Sequence, residues 1–249
     1  MNTRVFVGIP ARMGSSRFPG KPLKEILGKS MIQRIFENVE GASRATFKFV
    51  ATCDEEIESH LAEFKIPTLL TSKDINRPGQ RVAEACKNLD LSPNDIVIVV
   101  QGDEPLVTAA MVDAVIELII NSQEDKFIVN LCAPATHEQL HDPNEVKVVL
   151  DKLDHAMYFS RSPIPSSFHI ESPSSTWRQV CIFGFRWEFM QYFYDELDAT
   201  PLEKHESIEL LRALESGIKV KMLPIYEETK SVDTYEDLIE VEKILRDRP

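Results

Sequence analysis

The sequence predicts an α/β protein built on a doubly wound, mostly parallel sheet. Short apolar, β-branched runs recur along the first hundred residues, amphipathic segments of helical period alternate with them, and the links between them are short. VFVGIP (5–10), bounded by Gly and Pro, is the first strand. SMIQRIFENVE (30–40) places Met31, Ile32, Ile35, Phe36 and Val39 on one helical face. TFKFVAT (46–52) is a second strand. EEIESHLAEF (55–64) is a helix whose first-turn acids suit the positive end of its dipole. PTLLT (67–71) is a short third strand, RVAEACKNL (81–89) a helix, and DIVIVVQGDEP (95–105) the clearest buried strand of the chain.

The second half is less regular. KFIVNLCAPA (126–135) and VKVVLD (146–151) read as strands, and the Pro- and Ser-rich stretch 157–177 as a long loop or arm. RQVCIFGFR (178–186) is a strand, WEFMQYFYDEL (187–197) an aromatic helix, and SIELLRALESG (207–217) an amphipathic helix closed by Gly217. KVKML (219–223) is a strand and TYEDLIEVEKILRDR (234–248) a final helix. The expectation is one domain over residues 1–249, with a sheet extension or dimerisation arm in its second half.

The chain carries 28 basic against 40 acidic residues, a formal charge of −12, which argues against nucleic acid or a membrane surface as a general partner. Its four cysteines are far apart with no C-x-x-C pair, so reduced thiols are expected rather than a disulfide or metal framework. There is no secretory leader pattern and no apolar run near the ~18 residues of a spanning helix. A cytoplasmic protein is expected.

Against that acidic background, IPARMGSSRFPGKPL (9–23) concentrates Arg12, Arg17 and Lys21 with glycines and serines directly after the first strand. Bare backbone N–H groups and cations at a strand end form a phosphate cradle. The segment is neither a P-loop, since Pro22 follows Lys21, nor a G-x-G-x-x-G turn. Segments 52–54 and 101–105 also follow strand ends, where open α/β sheets bind ligands. Asp103 of QGDEP is placed to hold Mg2+, or to cap a helix starting at Pro105. In SVDTYEDL (231–238), Thr234 and Asp237 have capping-box spacing, leaving Asp233 as a turn residue or free for other work.

IPARMGSSRFPGKPL, QGDEP, HDPNEVKVVLD, AMYFSR and SVDTYEDL together resemble the cytidylyltransferases that make CMP-3-deoxy-manno-octulosonate, the CMP-Kdo synthetases, in order and near spacing over residues 4–245. The resemblance implies a Rossmann-like nucleotidyltransferase sheet and a Mg2+-dependent transfer of CMP from CTP to a 2-keto-3-deoxy sugar acid, with release of pyrophosphate. It further implies that Arg12 and Lys21 bind the triphosphate, with Ser15, Ser16 and Arg17 beside them. Asp103 and Asp233 would hold the metal. Gln101 would face both substrates, Arg161 would meet the sugar carboxylate, and a homodimer would form through the segment around 126–200, which also lies on the acceptor side.

Three departures from that pattern stand out. The family's H-x-S-G-T-[ED]-R loop, near the cytosine and ribose, is NRPGQR (76–81) here; Gly79 and Arg81 align only across a gap. Gln179 and Phe183 stand where the pattern has His and Tyr in H-x-G-I-Y-G. The family's E-Q-L-R is ELLR, keeping Glu209 and Arg212 but placing Leu210 for Gln. Gln179 and Glu209 thus fall at acceptor-pocket positions. Loss of polar groups there points to an acceptor other than plain Kdo, such as a modified or different ulosonic acid or a phosphonate. The alternatives are drift within an ordinary Kdo enzyme, a catalytically idle nucleotide-binding paralogue, and a pyrophosphorylase acting on a sugar 1-phosphate.

Overall fold

The computed structural model describes residues 3–14, 17–166 and 176–248. In chain order its strands are β1 Val5–Ala11, β2 Glu25–Ile26, β3 Lys29–Ser30, β4 Phe47–Thr52, β5 Thr68–Leu70, β6 Ile96–Val100, β7 Phe127–Pro134, β8 Lys147–Leu150, β9 Ala156–Ser160, β10 Trp177–Arg186 and β11 Lys219–Pro224. The helices are α1 Met31–Glu40, α2 Glu55–Ala62, α3 Pro78–Lys87, α4 Ala109–Asn121, α5 His137–His141, α6 Trp187–Gln191, α7 Pro201–Glu206, α8 Leu211–Glu215 and α9 Tyr235–Asp247.

The main sheet runs β11-β7-β10-β6-β1-β4-β5. Neighbours β6, β1, β4 and β5 pair in parallel, as do β7 and β11, while β10 is antiparallel to both β6 and β7. One reversed strand is therefore built into an otherwise co-directional sheet. At its far end β8 pairs with the start of β10, and β9 with β8, forming the extension. The expected arm at 157–177 thus begins as a strand; its central part, 167–175, lies outside the described residues.

Both faces of the sheet are apolar, which is why the strands read as continuous hydrophobic runs. Val5, Val7 and Ile9 of β1 face a core shared with α1, α4 and α9, whereas Phe6 faces a second core with Phe49, Val82, Phe183, Phe185 and Phe193. The aromatic stripe of 187–197 belongs to this second core: Trp187, Phe189, Phe193 and Tyr194 are all buried.

Several boundaries differ from the sequence expectation. The 95–105 strand stops at Val100, because the residues of QGDEP turn outward as a loop. The cap near Pro105 is instead Thr108, whose hydroxyl accepts from Met111 N, and α4 follows in a stretch with no assigned element above. Apolar residues on most sides of AAMVDAVIELIIN blur the helical period; Thr108 was the readable signal. The expected 207–217 helix is interrupted at its start: Ser207 is left-handed, with φ 54°, and α8 begins only at Leu211.

The extension is pinned by Lys147. Its side chain is fully buried, and its ammonium donates to the carbonyls of Asp142, Glu145 and Arg161 at 2.6–2.7 Å. Burial draws its pKa down. Replacing Lys147 by Met leaves those carbonyls without that donor, and stability is expected to fall by about 2–4 kcal/mol; the urea unfolding midpoint with an unchanged slope measures it.

Candidate active site

The carboxyl ends of β1 and β6 open onto a cleft of about 270 Å3 lined by Arg12, Arg17, Lys21, Gln101, Asp103 and Asp233, among others. The loop after β1 is held open from behind: Asp54, at the end of β4, accepts from Met13 N at 2.8 Å. Gly20, at φ 70°, turns the chain into a single 3-10 turn that begins with Lys21. The turn delivers the Lys21 ammonium between two carboxylates, 2.9 Å from Asp103 Oδ2 and 3.2 Å from Asp233 Oδ1. Arg17 Nη2 lies 3.1 Å from the same Asp233 oxygen.

Each carboxylate is positioned by backbone. Gly102 passes so close to β1 that a Cβ there would lie 2.5 Å from the Pro10 carbonyl oxygen, so the QGD turn needs glycine at that point. Val232 N donates to the Asp103 carbonyl at 2.9 Å, stitching the two acidic segments together. Thr234 and Asp237 form the capping box of α9, and Asp237 also accepts from Asp233 N at 3.0 Å, which leaves the Asp233 carboxylate to face the cleft.

Burial pulls the Lys21 pKa down, but attraction to Asp103 and Asp233 outweighs it, and the ammonium is held above its usual range. Beneath them Glu104 is fully buried. Desolvation, reinforced by repulsion from Asp103, pushes its carboxyl up to about 8. Asp103 and Asp233 are the carboxylates that line the cleft. Asp103 Oδ1 is buried with no hydrogen-bond partner. An orphaned carboxylate oxygen beside a second carboxylate suits a hard, oxygen-seeking divalent cation. Among the described residues no group of three or more His, Cys, Asp or Glu side chains forms a metal cage, so any such ion would draw further ligands from a substrate or water.

The remaining sequence-predicted residues are more scattered. Arg12 lines the cleft and donates to Asn76 Oδ1 at 3.0 Å. Ser15 and Ser16 lie outside the described residues. Gln101 lines the cleft, its backbone N–H bound to the Cys181 carbonyl. Arg81 reaches the cleft wall, but its guanidinium is engaged by Thr71 Oγ1 and the carbonyls of Ser72 and Ile75. The Arg161 side chain binds the carbonyls of Glu206, Pro143 and Asn144. Gln179 is buried and donates to Asn130 Oδ1, and Glu209 is buried where it accepts from Gly79 N at 3.3 Å. Phe183 and Leu210 sit in the second core, so neither of these two departures changes the cleft lining. Sequence reasoning passed over Asn76 and Arg77 in the cleft wall. Their signal was the loop's failure to match a known pattern.

The chain is similar to proteins of known kind. Residues 7–222 match the cytidylyltransferase family. A 3-deoxy-manno-octulosonate cytidylyltransferase from Francisella philomiragia is 39% identical, over 96% of this chain and 98% of its own length. The chain belongs to that family. Another member, from Desulfatibacillum aliphaticivorans, is 36% identical over 98% of this chain and 100% of its own length. The cytidylyltransferase fold is also that of a CMP:2-keto-3-deoxy-manno-octonic acid synthetase solved in complex with CTP, at a TM-score of 0.88 and 31% identity, covering 98% of this chain and 99% of that one.

In this cytidylyltransferase, burial pushes the Glu209 carboxyl up to about 7, outweighing the neighbouring Tyr194 hydroxyl and Arg212. A carboxyl whose pKa is higher folded than unfolded favours the fold at low pH and loses that contribution as pH rises through the folded value. Thermal melts of the native chain and Glu209→Gln are therefore expected to shift in the variant's favour between about pH 5 and about pH 8. A constant difference across that range contradicts a raised carboxyl.

Proposed function

We propose that the cleft transfers CMP from CTP to the anomeric hydroxyl of a 2-keto-3-deoxy sugar acid, Kdo or a close analogue, with Mg2+ held by Asp103 and Asp233. The convergence of Lys21, Asp103 and Asp233 supports this reading above all else: one ammonium meets both carboxylates at the end of the parallel sheet. The metal, when bound, supplies charge neutralisation at the triphosphate and lowers the cost of deprotonating the attacking hydroxyl.

The chain's own residues supply position and field. Arg12, Arg17 and Lys21 place three cations around one side of the cleft, where the triphosphate would lie with its α-phosphorus toward Asp103. The sugar hydroxyl oxygen forms a bond to that phosphorus and loses its proton to water, the bond from the α-phosphorus to the β-phosphate oxygen breaks, and pyrophosphate leaves with charge that Lys21 and Arg17 offset. Such a reaction calls for orientation and electrostatic stabilisation rather than a protein nucleophile, and among the described residues the cleft lining holds no Ser, Thr, Cys, His or Tyr side chain. The acceptor would enter past Gln101; Arg161, Gln179 and Glu209 stand outside the cleft lining, bound to other parts of the fold. The homodimer and a cytoplasmic location belong to the same proposal, and among the described residues no helix is long and apolar enough to cross a membrane.

Pyrophosphate release from CTP and Mg2+ across a panel of ulosonic acids tests the reaction; silence with every acid defeats it. Asp103→Asn and Asp233→Asn are each expected to lower kcat by at least about 10²–10³-fold with the fold intact by circular dichroism. An unchanged rate in either variant removes that residue from the metal site.

A further inference from the structure

The wall facing the three cations is built from Asn76, Arg77 and Pro78, at the start of α3. Upstream, Arg81 clamps the Ser72 and Ile75 carbonyls and Asn76 binds the Asp74 carbonyl, but the turn into α3 itself has no side-chain cap. Arg77 stands at the helix N-cap without a capping side chain, and Pro78 has no N–H to give. Its anchorage comes instead from the segment between α7 and α8.

Arg77 commits all three guanidinium nitrogens there. Nε lies 3.2 Å from Glu203 Oε1, Nη1 donates to Ser207 Oγ at 3.1 Å, and Nη2 to the Glu203 carbonyl at 3.4 Å. Glu203 is fully buried and takes a two-pronged contact from Arg212 as well, at 2.8 and 2.9 Å. Arg212 is in turn fixed by the carbonyls of Phe193 and Leu197. Two residues beyond Arg77, Gly79 N reaches Glu209. A Cβ on Gly79 would stand 1.9 Å from the Tyr194 hydroxyl, so the backbone is pressed directly onto this buried polar cluster.

We propose that Arg77 is a positioning residue: through Glu203 it latches the cleft wall opposite the phosphate cradle, so that the nucleoside end of the substrate meets a preformed surface. The latch rests on the nucleotide reading above and extends it to a residue outside the triphosphate and metal groups. Glu203 shared between two arginines makes the latch stiff, because a buried carboxylate is costly to leave without its partners. Arg77 works through the loop it carries, its own nitrogens being turned onto α7 and Ser207.

Calorimetric titration of the native chain and of Arg77→Ala, each with CTP and separately with inorganic tripolyphosphate in the presence of Mg2+, tests the latch. Arg77→Ala is expected to bind CTP about tenfold more weakly and tripolyphosphate as tightly as the native chain. Arg77→Lys keeps the charge but not the three-way fork, and is expected to fall between the two. Unchanged CTP affinity in Arg77→Ala, or equal losses for both ligands, overturns the latch. A native chain that ignores tripolyphosphate overturns the phosphate cradle, and the latch with it.

Discussion

Two carboxylates and one ammonium, brought together from three distant stretches of chain, are the constraint around which this molecule is organised. Asp103 and Asp233 would repel each other if placed side by side in a half-buried cleft. Lys21 resolves that repulsion by lying between them. Much of the surrounding structure serves this arrangement: the left-handed Gly20 that aims the lysine, the glycine that lets QGD graze β1, and the capping box that turns Asp233 outward. Burial, which pushes the Glu104 carboxyl up to about 8, works against a third negative charge beside Asp103.

The same arrangement explains how an acidic protein would hold a polyanion. A net charge of −12 repels triphosphate at long range, so binding depends on a few cations whose alternatives are poor. Arg12 and Arg17 rest on asparagine side chains, Arg17 also on Asp233, and Lys21 on the two aspartates. Were a divalent cation to take the aspartates, Lys21 would be free to turn toward phosphate without losing an opposite charge. The site exchanges one balanced set of charges for another.

What could be read from the sequence follows from how local the determining physics is. That Arg12, Arg17, Lys21 and Asp103 line one cleft was legible because strand ends and glycines are local signals, whereas the residues around Asp233 showed only a capping box, and its place beside them was suggested by the family resemblance alone. The parallel half of the sheet was legible from local signals too. The reversal of β10 was not: hydrophobicity along a strand carries no direction, and only pairing with β6 and β7 reveals it. Arg81, Arg161 and Arg77 could not be assigned their partners, because these include carbonyls and carboxylates contributed by other elements. Phe183 and Leu210 looked like changes to a substrate pocket in one dimension and are core residues in three. Helix α4 was hidden by its own apolarity, which masks the amphipathic period from which surface helices are recognised.

The lysine–aspartate contact closes a loop of 212 residues, and this has a consequence for how the protein comes into being. A nascent chain emerging from a ribosome carries Lys21 and its neighbouring cations long before Asp233 exists. Until α9 is made and docks, that early cationic loop has only one of its two negative counterweights. In the reading proposed above, a polypeptide that has not yet reached Asp233 lacks one of the charges on which the cleft is built, so the site is completed by folding across the chain rather than by any local stretch of it.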